Sequence, residues 1–330
     1  MRFFFSVPKV TEENTTPRKG ALLFFLKASI SLGLLVMLFS RMDLGQFFRA
    51  GSSTKLSYLC LATVAYGMAK LISAARWALL SRPLGFRASA KKFAAFYFIG
   101  MFFNLFAPSA LGGDAGRAIY LSRDEVQTPD GWKTLAGRAL VSVAADRIIG
   151  LAILIWIGCV GLLVFPFYTD SVPWLARYLL FGAALGFVFA YFLLRFADSF
   201  VQRAGFAVGG MLLDTLQLFR SNPGLMVQAV LLSVLIHLIQ TWIQILLGRA
   251  LGFYIPWSYC FIFFPLVDML SMLPLSVSGI GLREGGYLFF LGKLGIAGEK
   301  AVACGMLWFI VVLLNGLIGG LVFLLYRRDS

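Results

Sequence analysis

Two polar stretches, each broken by glycine and proline, interrupt a chain that is otherwise close to continuously apolar. The first runs Asn104-Leu-Phe-Ala-Pro-Ser-Ala-Leu-Gly-Gly-Asp-Ala-Gly-Arg117, the second Leu273-Pro-Leu-Ser-Val-Ser-Gly-Ile-Gly-Leu-Arg-Glu-Gly-Gly286. Each carries an arginine and a carboxylate, and each is flanked by apolar runs too short to span a bilayer alone. In lipid, non-helical backbone survives only where protein buries it or where it lines a cavity. A pair of Gly/Pro-interrupted segments, one in each half of a membrane protein, is the pattern of a transport site.

Composition agrees with a membrane setting. Of 330 residues, 60% are hydrophobic and 13% charged, and the mean hydropathy is +0.85. No soluble core hides that much apolar surface, and the alternating short strands of an outer-membrane barrel are not visible. The formal net charge of +14 reads as a cytoplasmic-loop bias with affinity for anionic headgroups. No segment is long enough to be a basic nucleic-acid-binding module. The four cysteines, Cys60, Cys159, Cys260 and Cys304, lack metal or redox spacing and read as small core residues. A single histidine, His237, leaves no room for a multi-histidine metal site. Neither a metal nor another cofactor is expected.

Apolar runs of spanning length occur at about 21–40, 55–80, 138–165, 175–194, 228–249 and 301–326. Shorter runs at about 93–107 and 258–273 end in the broken motifs. Second short helices follow at about 114–122 and 282–292, so each motif reads as a re-entrant helix hairpin. The expected fold class is all-α: a polytopic integral membrane protein with about six full spans, two re-entrant hairpins and an inverted repeat. Residues 1–20 form a cytoplasmic polar tail rather than a cleaved signal, and 21–326 form one membrane domain. Within it, 198–220 reads as an amphipathic segment on the cytoplasmic surface.

Lysine and arginine flank the first apolar run on its N-terminal side and follow the second at Arg82, Arg87, Lys91 and Lys92. They recur at Arg195, Arg203, Arg220, Arg327 and Arg328, whereas 165–173 has none. The positive-inside rule therefore puts both termini in the cytoplasm and 165–173 outside. Arg41, Arg49 and Lys55 in the first external loop run against it. In this topology 55–165, a span, a hairpin and a span, repeats inverted as 228–326.

Charges also fall within the spans. Lys70 lies about ten residues from a helix end, or about 15 Å deep at 1.5 Å per residue. Asp146 and Arg147 sit at similar depth, and Arg138, Ser142 and Asp146 share one helical face. A buried ion there costs at least about 2.5–3.5 kcal/mol, so it pairs or lines a wet cavity. Either Lys70, Asp146 and Arg147 line a hydrated pocket, or Asp146 and a neighbouring cation lock two helices together. Arg76, beside Trp77, fits a snorkelling residue near the interface. In each hairpin the second helix starts after glycines and points free N–H groups into the break, which makes an anion site. Arg117 and Arg283 can fork onto phosphate. Ser109 or Asp114, and Ser278 or Glu284, can instead serve as caps.

These motifs together resemble the flippase-like membrane domain of lysylphosphatidylglycerol synthases. The matching positions are Arg76-Trp77, then Asn104, Pro108, Gly112-Gly113-Asp114 and Arg117. They continue with Arg138, Asp146-Arg147 and Gly150, and with Pro274, Ser276, Gly279, Gly281 and Arg283-Glu284-Gly285. In the full-length synthase, this domain is implicated in moving aminoacylated lipid across the bilayer, and a separate soluble domain transfers the aminoacyl group. This sequence ends just after its last apolar run, so no synthase domain and no enzymatic activity are expected.

The resemblance and the residues together imply a lipid translocase of the bacterial or archaeal cell membrane. An anionic or phosphate-bearing headgroup would be held by Asn104, Ser109, Gly112, Gly113, Asp114, Arg117, Ser278, Gly279, Gly281, Arg283 and Glu284. Lys70, Arg76, Arg138, Asp146 and Arg147 would form the pathway or its buried charge. The alternatives are a membrane-embedded transferase acting on a lipid carrier, or a non-catalytic partner of a lipid-modifying enzyme. Membrane lipids are the expected partners, with a second copy of the chain or such an enzyme beside them.

Overall fold

The computed structural model describes residues 29–37, 40, 44–106, 111–125, 132–204, 219, 221–273, 275–276 and 278–329. Every regular element among the described residues is a helix, and none is a strand. Helix α1 covers 29–37 and α2 Leu44–Ser52. The first half of the molecule then comprises α3 (Leu56–Ser81), α4 (Ala90–Phe106), α5 (Leu111–Glu125) and α6 (Trp132–Val164). A short 3-10 turn, Pro166–Ser171, leads into α7 (Trp174–Ala204). The second half comprises α8 (Pro223–Ala250), α9 (Trp257–Met272), α10 (Leu282–Gly292) and α11 (Gly298–Asp329).

Among the described residues four helices, α3, α6, α8 and α11, are long and apolar enough to cross a membrane. Their outward faces carry large apolar side chains at helical spacing. On α3 these are Leu61, Val64, Met68 and Leu71, and on α8 Val227, Leu231, Leu235, Leu238 and Trp242. Such stripes suit lipid as solvent. The apolar part of α7, Trp174–Phe189, is shorter. The first expected run, 21–40, is described only over 29–37 and residue 40, and the tail 1–20 lies outside the described residues. Most of the expected amphipathic segment, 205–218 and 220, also lies outside them, and 198–204 simply continue α7.

The two halves have the same order of lengths: 26, 17, 15 and 33 residues for α3 to α6, and 28, 16, 11 and 32 for α8 to α11. Exchanging the halves also preserves the packing. α3 lies along α8, α4 packs on α11 as α9 packs on α6, and α5 meets α6 as α10 meets α11. The equivalent helices α3 and α8 run in opposite directions. Lys55 N, at the start of α3, donates to Ala250 O at the end of α8 (2.9 Å), and Arg76 near the end of α3 reaches Ser233 early in α8.

Each pair of short helices folds back on itself. At the open end of the first, Lys92 Nζ meets Asp124 Oδ1 at 2.6 Å and Arg87 N donates to Glu125 Oε1 at 2.6 Å. At that of the second, Tyr259 Oη donates to Phe290 O at 2.8 Å. At the tip of the first, glycine is a steric requirement: a Cβ on Gly113 would collide with Gly100 O and with the Asn104 amide. Gly319 of α11 likewise lies against Phe98 O of α4. Close backbone approach through small residues is how membrane helices gain packing energy when lipid offers no hydrophobic drive. The cysteine expectation needs one correction. Cys159, Cys260 and Cys304 are buried, but Cys60 is exposed on the outer face of α3.

Candidate functional site

The polar interior of the first half is a continuous chain of charge pairs. Arg76 of α3 sends Nε to Asp146 Oδ1 (2.8 Å), Nη2 to Asp146 O (3.1 Å) and Nη1 to Ser233 Oγ (2.7 Å). Arg117 of α5 reaches the other oxygen, Asp146 Oδ2, through Nη1 at 3.1 Å, and its Nε lies 3.2 Å from Asp114 Oδ1. Asp114 in turn accepts two bonds from Arg147, Nε to Oδ2 at 2.8 Å and Nη2 to Oδ1 at 3.0 Å. Arg76, Asp146 and Arg117 are 5%, 1% and 2% exposed. At such burial an unpaired ion would be very costly, and shared fork-type pairing offsets that cost. Aromatic faces help: the Arg117 guanidinium lies 5.0 Å from the Trp77 ring and 4.9 Å from the Tyr97 ring. Trp77 Nε1 is held by Ser142 Oγ at 3.0 Å, which fixes the ring.

This arrangement gives Asp146 and Arg76 specific partners. Asp146 pairs with Arg76 and Arg117 rather than with Lys70 or Arg147, because α3 and α5 present their arginines to that face of α6. Arg76 is not a snorkelling interface residue. It is bound on every side at the junction of α3, α6 and α8. Lys70 forms no ion pair among the described residues and sits over the Tyr66 ring at 4.6 Å. Arg138 is exposed, near Gly85 in the α3–α4 connection, and does not line the cavity described below.

The hairpin tips are satisfied differently. In the first, Asn104 Oδ1 of α4 accepts from Gly113 N at 2.9 Å, so the cap comes from the facing helix. Asp114, one of the expected caps, is spent on arginines. Gly112 is exposed beside it, and Ser109 lies outside the described residues. In the second, Glu284 folds back and its Oε2 accepts from Gly281 N at 2.6 Å, the glutamate half of a capping box, since Gly281 has no side chain to complete it. Gly281 has φ +87°, Gly279 φ +78° and Ser278 φ +52°, a left-handed run. A Cβ on Gly281 would come within 2.7 Å of Leu34 Cβ, so α1 rests on this turn.

Both hairpins open on one cavity of about 540 Å³. From the first half it is lined by Lys70, Arg76, Asn104, Asp114, Arg117, Asp146 and Arg147, and from the second by Ser276, Ser278, Gly279 and Arg283. Arg283 Nη2 donates to Ser278 O at 3.0 Å. Arg283 Nη1, Arg117 Nη2 and Ser276 Oγ are buried without a hydrogen-bond partner among the described residues. The Arg147 side chain, by contrast, is 44% exposed. The cavity therefore offers donors from both halves and keeps some of them unspent.

Three lining groups were not singled out from the sequence: Asp268, His237 and Gln240. His237 Nε2 lies 2.9 Å from Gly150 O and Nδ1 3.0 Å from Gln240 Oε1. Asp268 forms no hydrogen bond or ion pair among the described residues. A carboxylate inside an apolar helix, eleven residues from the Gly279 turn, was signal enough to mark it.

The sequence profile of the family described as "Lysylphosphatidylglycerol synthase TM region" matches residues 24–320. A UPF0104 membrane protein, MJ1595 of Methanocaldococcus jannaschii, is 28% identical over 128 residues, which is 38% of this chain and 36% of that protein. The match thus spans little more than a third of that relative's own length. With its helical membrane architecture and nearly its whole length inside the profile, the chain belongs to the lysylphosphatidylglycerol synthase TM region family.

Proposed function

We propose that the chain binds an anionic or phosphate-bearing lipid headgroup in the shared cavity and carries it between the leaflets of a cell membrane. The observation that supports this most is that Arg117 and Arg283 line one cavity from two hairpins, each with a guanidinium nitrogen that has no hydrogen-bond partner among the described residues. Unpaired buried donors are costly, and a headgroup phosphate would satisfy them. In this reading the hairpins are re-entrant and meet near the midplane. The antiparallel α3 and α8 relate two inverted halves, and both termini are cytoplasmic. The acyl or isoprenoid tails stay in the bilayer while the headgroup crosses. The sequence carries no nucleotide-binding motif, so the exchange follows a lipid or ion gradient.

The test is leaflet exchange in proteoliposomes with labelled lipids. The expected result is faster exchange of an anionic lipid than in protein-free vesicles, and its loss in Arg283→Lys. Absence of exchange for every anionic lipid tried would overturn the reading. Formation of an aminoacyl or glycosyl product from soluble donors would replace it with a transferase.

A further inference from the structure

Among the described residues three carboxylates line the cavity, and they are not alike. Asp114 and Asp146 are each held by two arginines. Arginine keeps its charge, so a proton on either aspartate would leave a buried guanidinium without its partner. Asp268, near the end of α9, forms no hydrogen bond or ion pair among the described residues. It can gain or lose a proton without breaking a pair. A lone carboxylate in an apolar helix is costly, and a proton removes that cost.

His237 of α8 lines the same cavity, within electrostatic reach of Asp268. Each of its ring nitrogens faces an oxygen, Nε2 the carbonyl of Gly150 at 2.9 Å and Nδ1 the Gln240 amide oxygen at 3.0 Å. An imidazolium donates to both. A neutral ring donates to Gly150 O and accepts at Nδ1 from a Gln240 amide turned over to present its NH2. The same three residues therefore satisfy both protonation states. Around the pair stand Arg76 and Lys70 from α3, Asp146 and Arg147 from α6, and Arg283 from α10. On α10, Tyr287 bonds Gln244 and Glu284 is spent on Gly281 N. α11 brings only Trp308, Phe309 and Val312 to the lining.

Resting on the reading that the cavity carries an anionic headgroup, we propose that Asp268 and His237 form a proton site and that one proton travels with each headgroup. The Asp268 carboxylate takes the proton, forming an O–H bond, when the anion enters, and returns it when the anion leaves. One anion and one proton cross together, so no net charge moves. An anion crossing alone would be driven or opposed by the membrane potential. The pair sits in the second half, whereas the arginine-locked aspartates belong to the first.

The experiment uses the full chain in phosphatidylcholine vesicles with a trace of labelled phosphatidylglycerol or phosphatidic acid and a pH-sensitive dye trapped inside. Potassium and an ionophore hold the membrane potential at zero, and protein-free vesicles set the baseline. Acidifying the outside by about one pH unit should drive label into the inner leaflet, up to about tenfold for one proton per headgroup, and acidify the lumen with it. Asp268→Asn should bring that asymmetry down to the baseline, and Asp268→Glu, which keeps a carboxylate, should restore part of it. His237→Gln should slow its build-up. Leaflet exchange without any pH-driven asymmetry in wild type would overturn the proton site and leave the lipid-exchange reading standing. Asymmetry driven by a sodium gradient and not by pH would also overturn it. Wild-type asymmetry in both Asp268→Asn and His237→Gln would remove the pair. Exchange of neither lipid above baseline would overturn the proton site together with the reading it rests on.

Discussion

Arg76 holds Asp146 at two points, with Nε on the carboxylate oxygen Oδ1 at 2.8 Å and Nη2 on the backbone carbonyl at 3.1 Å. One side chain thus fixes both the position and the charge of its partner. The second carboxylate oxygen is left to Arg117 at 3.1 Å. Asp146 is therefore the pivot that ties α3 and α5 to α6.

Asp146→Asn should be the most damaging single change in the interior. It leaves Arg76 and Arg117 buried with their counter-charge gone, a loss commonly of about 3–5 kcal/mol. Folded yield after extraction and the melting temperature report it. Adding Arg76→Gln should restore part of the loss, whereas adding Lys70→Gln should not, because Lys70 makes no pair with Asp146. Equal rescue by both second changes would contradict this assignment of partners.

The two expected anion-binding arginines should part company on stability. Arg117 is joined to Asp146 and Asp114 and stacked between Trp77 and Tyr97, so Arg117→Lys breaks a fork and two cation–π contacts. Its melting temperature should fall. Among the described residues the Arg283 side chain makes one hydrogen bond, to Ser278 O, so Arg283→Lys should fold like wild type and lose leaflet exchange. Wild-type exchange in a folded Arg283→Lys protein would remove that residue from the mechanism.

The helices were largely legible in the sequence, and the pairings were not. Apolar runs at about 55–80, 138–165 and 301–326 mark α3, α6 and α11 because lipid selects for length and hydrophobicity alone. The Gly-Gly-Asp and Arg-Glu-Gly motifs mark where helices restart because glycine permits the turn and the close approach. Which arginine meets Asp146 depends on the rotation of α3 against α6 and on where α5 docks, and no one-dimensional spacing encodes either. Of the two readings of Arg76, the snorkelling one took distance from a helix end as depth; that end of α3 is covered by α4 and α8, and Arg76 is a buried charge. The cap on Gly113 comes from Asn104, nine residues earlier on the facing helix, where rules for local capping do not look.

Gly113→Ala should disrupt the first hairpin. The added methyl has no space, because Gly100 O and the Asn104 amide already touch that side of the backbone. Overpacking of this kind costs about 1–3 kcal/mol or more where backbone must move. The displaced tip also carries Asp114 and Arg117, so exchange activity should drop with stability. Gly285→Ala is the matched control, since nothing lies within 4 Å of its Cβ position. Equal stability of the two variants would show that the tip is less tightly packed than its geometry indicates.

The last expectation concerns which end of the molecule faces outward. The turn Pro166–Ser171 and its surroundings gather exposed aromatics: Phe167, Trp174, Tyr178, Tyr254 and Trp257. Such rings settle at a membrane–water interface. The opposite end carries Arg82, Arg87, Lys91 and Lys92, the cations expected on the cytoplasmic side. In a cysteine-free background, Asp170→Cys should react with an impermeant thiol reagent in intact cells, because Asp170 is exposed at the aromatic end. Asn222→Cys, exposed at the start of α8, should react only after permeabilisation. α3 and α8 run antiparallel, so the start of α8 lies at the same end as the finish of α3, and the two labels must report opposite sides. Reversed labelling would invert the orientation. Labelling of both sites in intact cells would contradict the transmembrane passage of α7 between them.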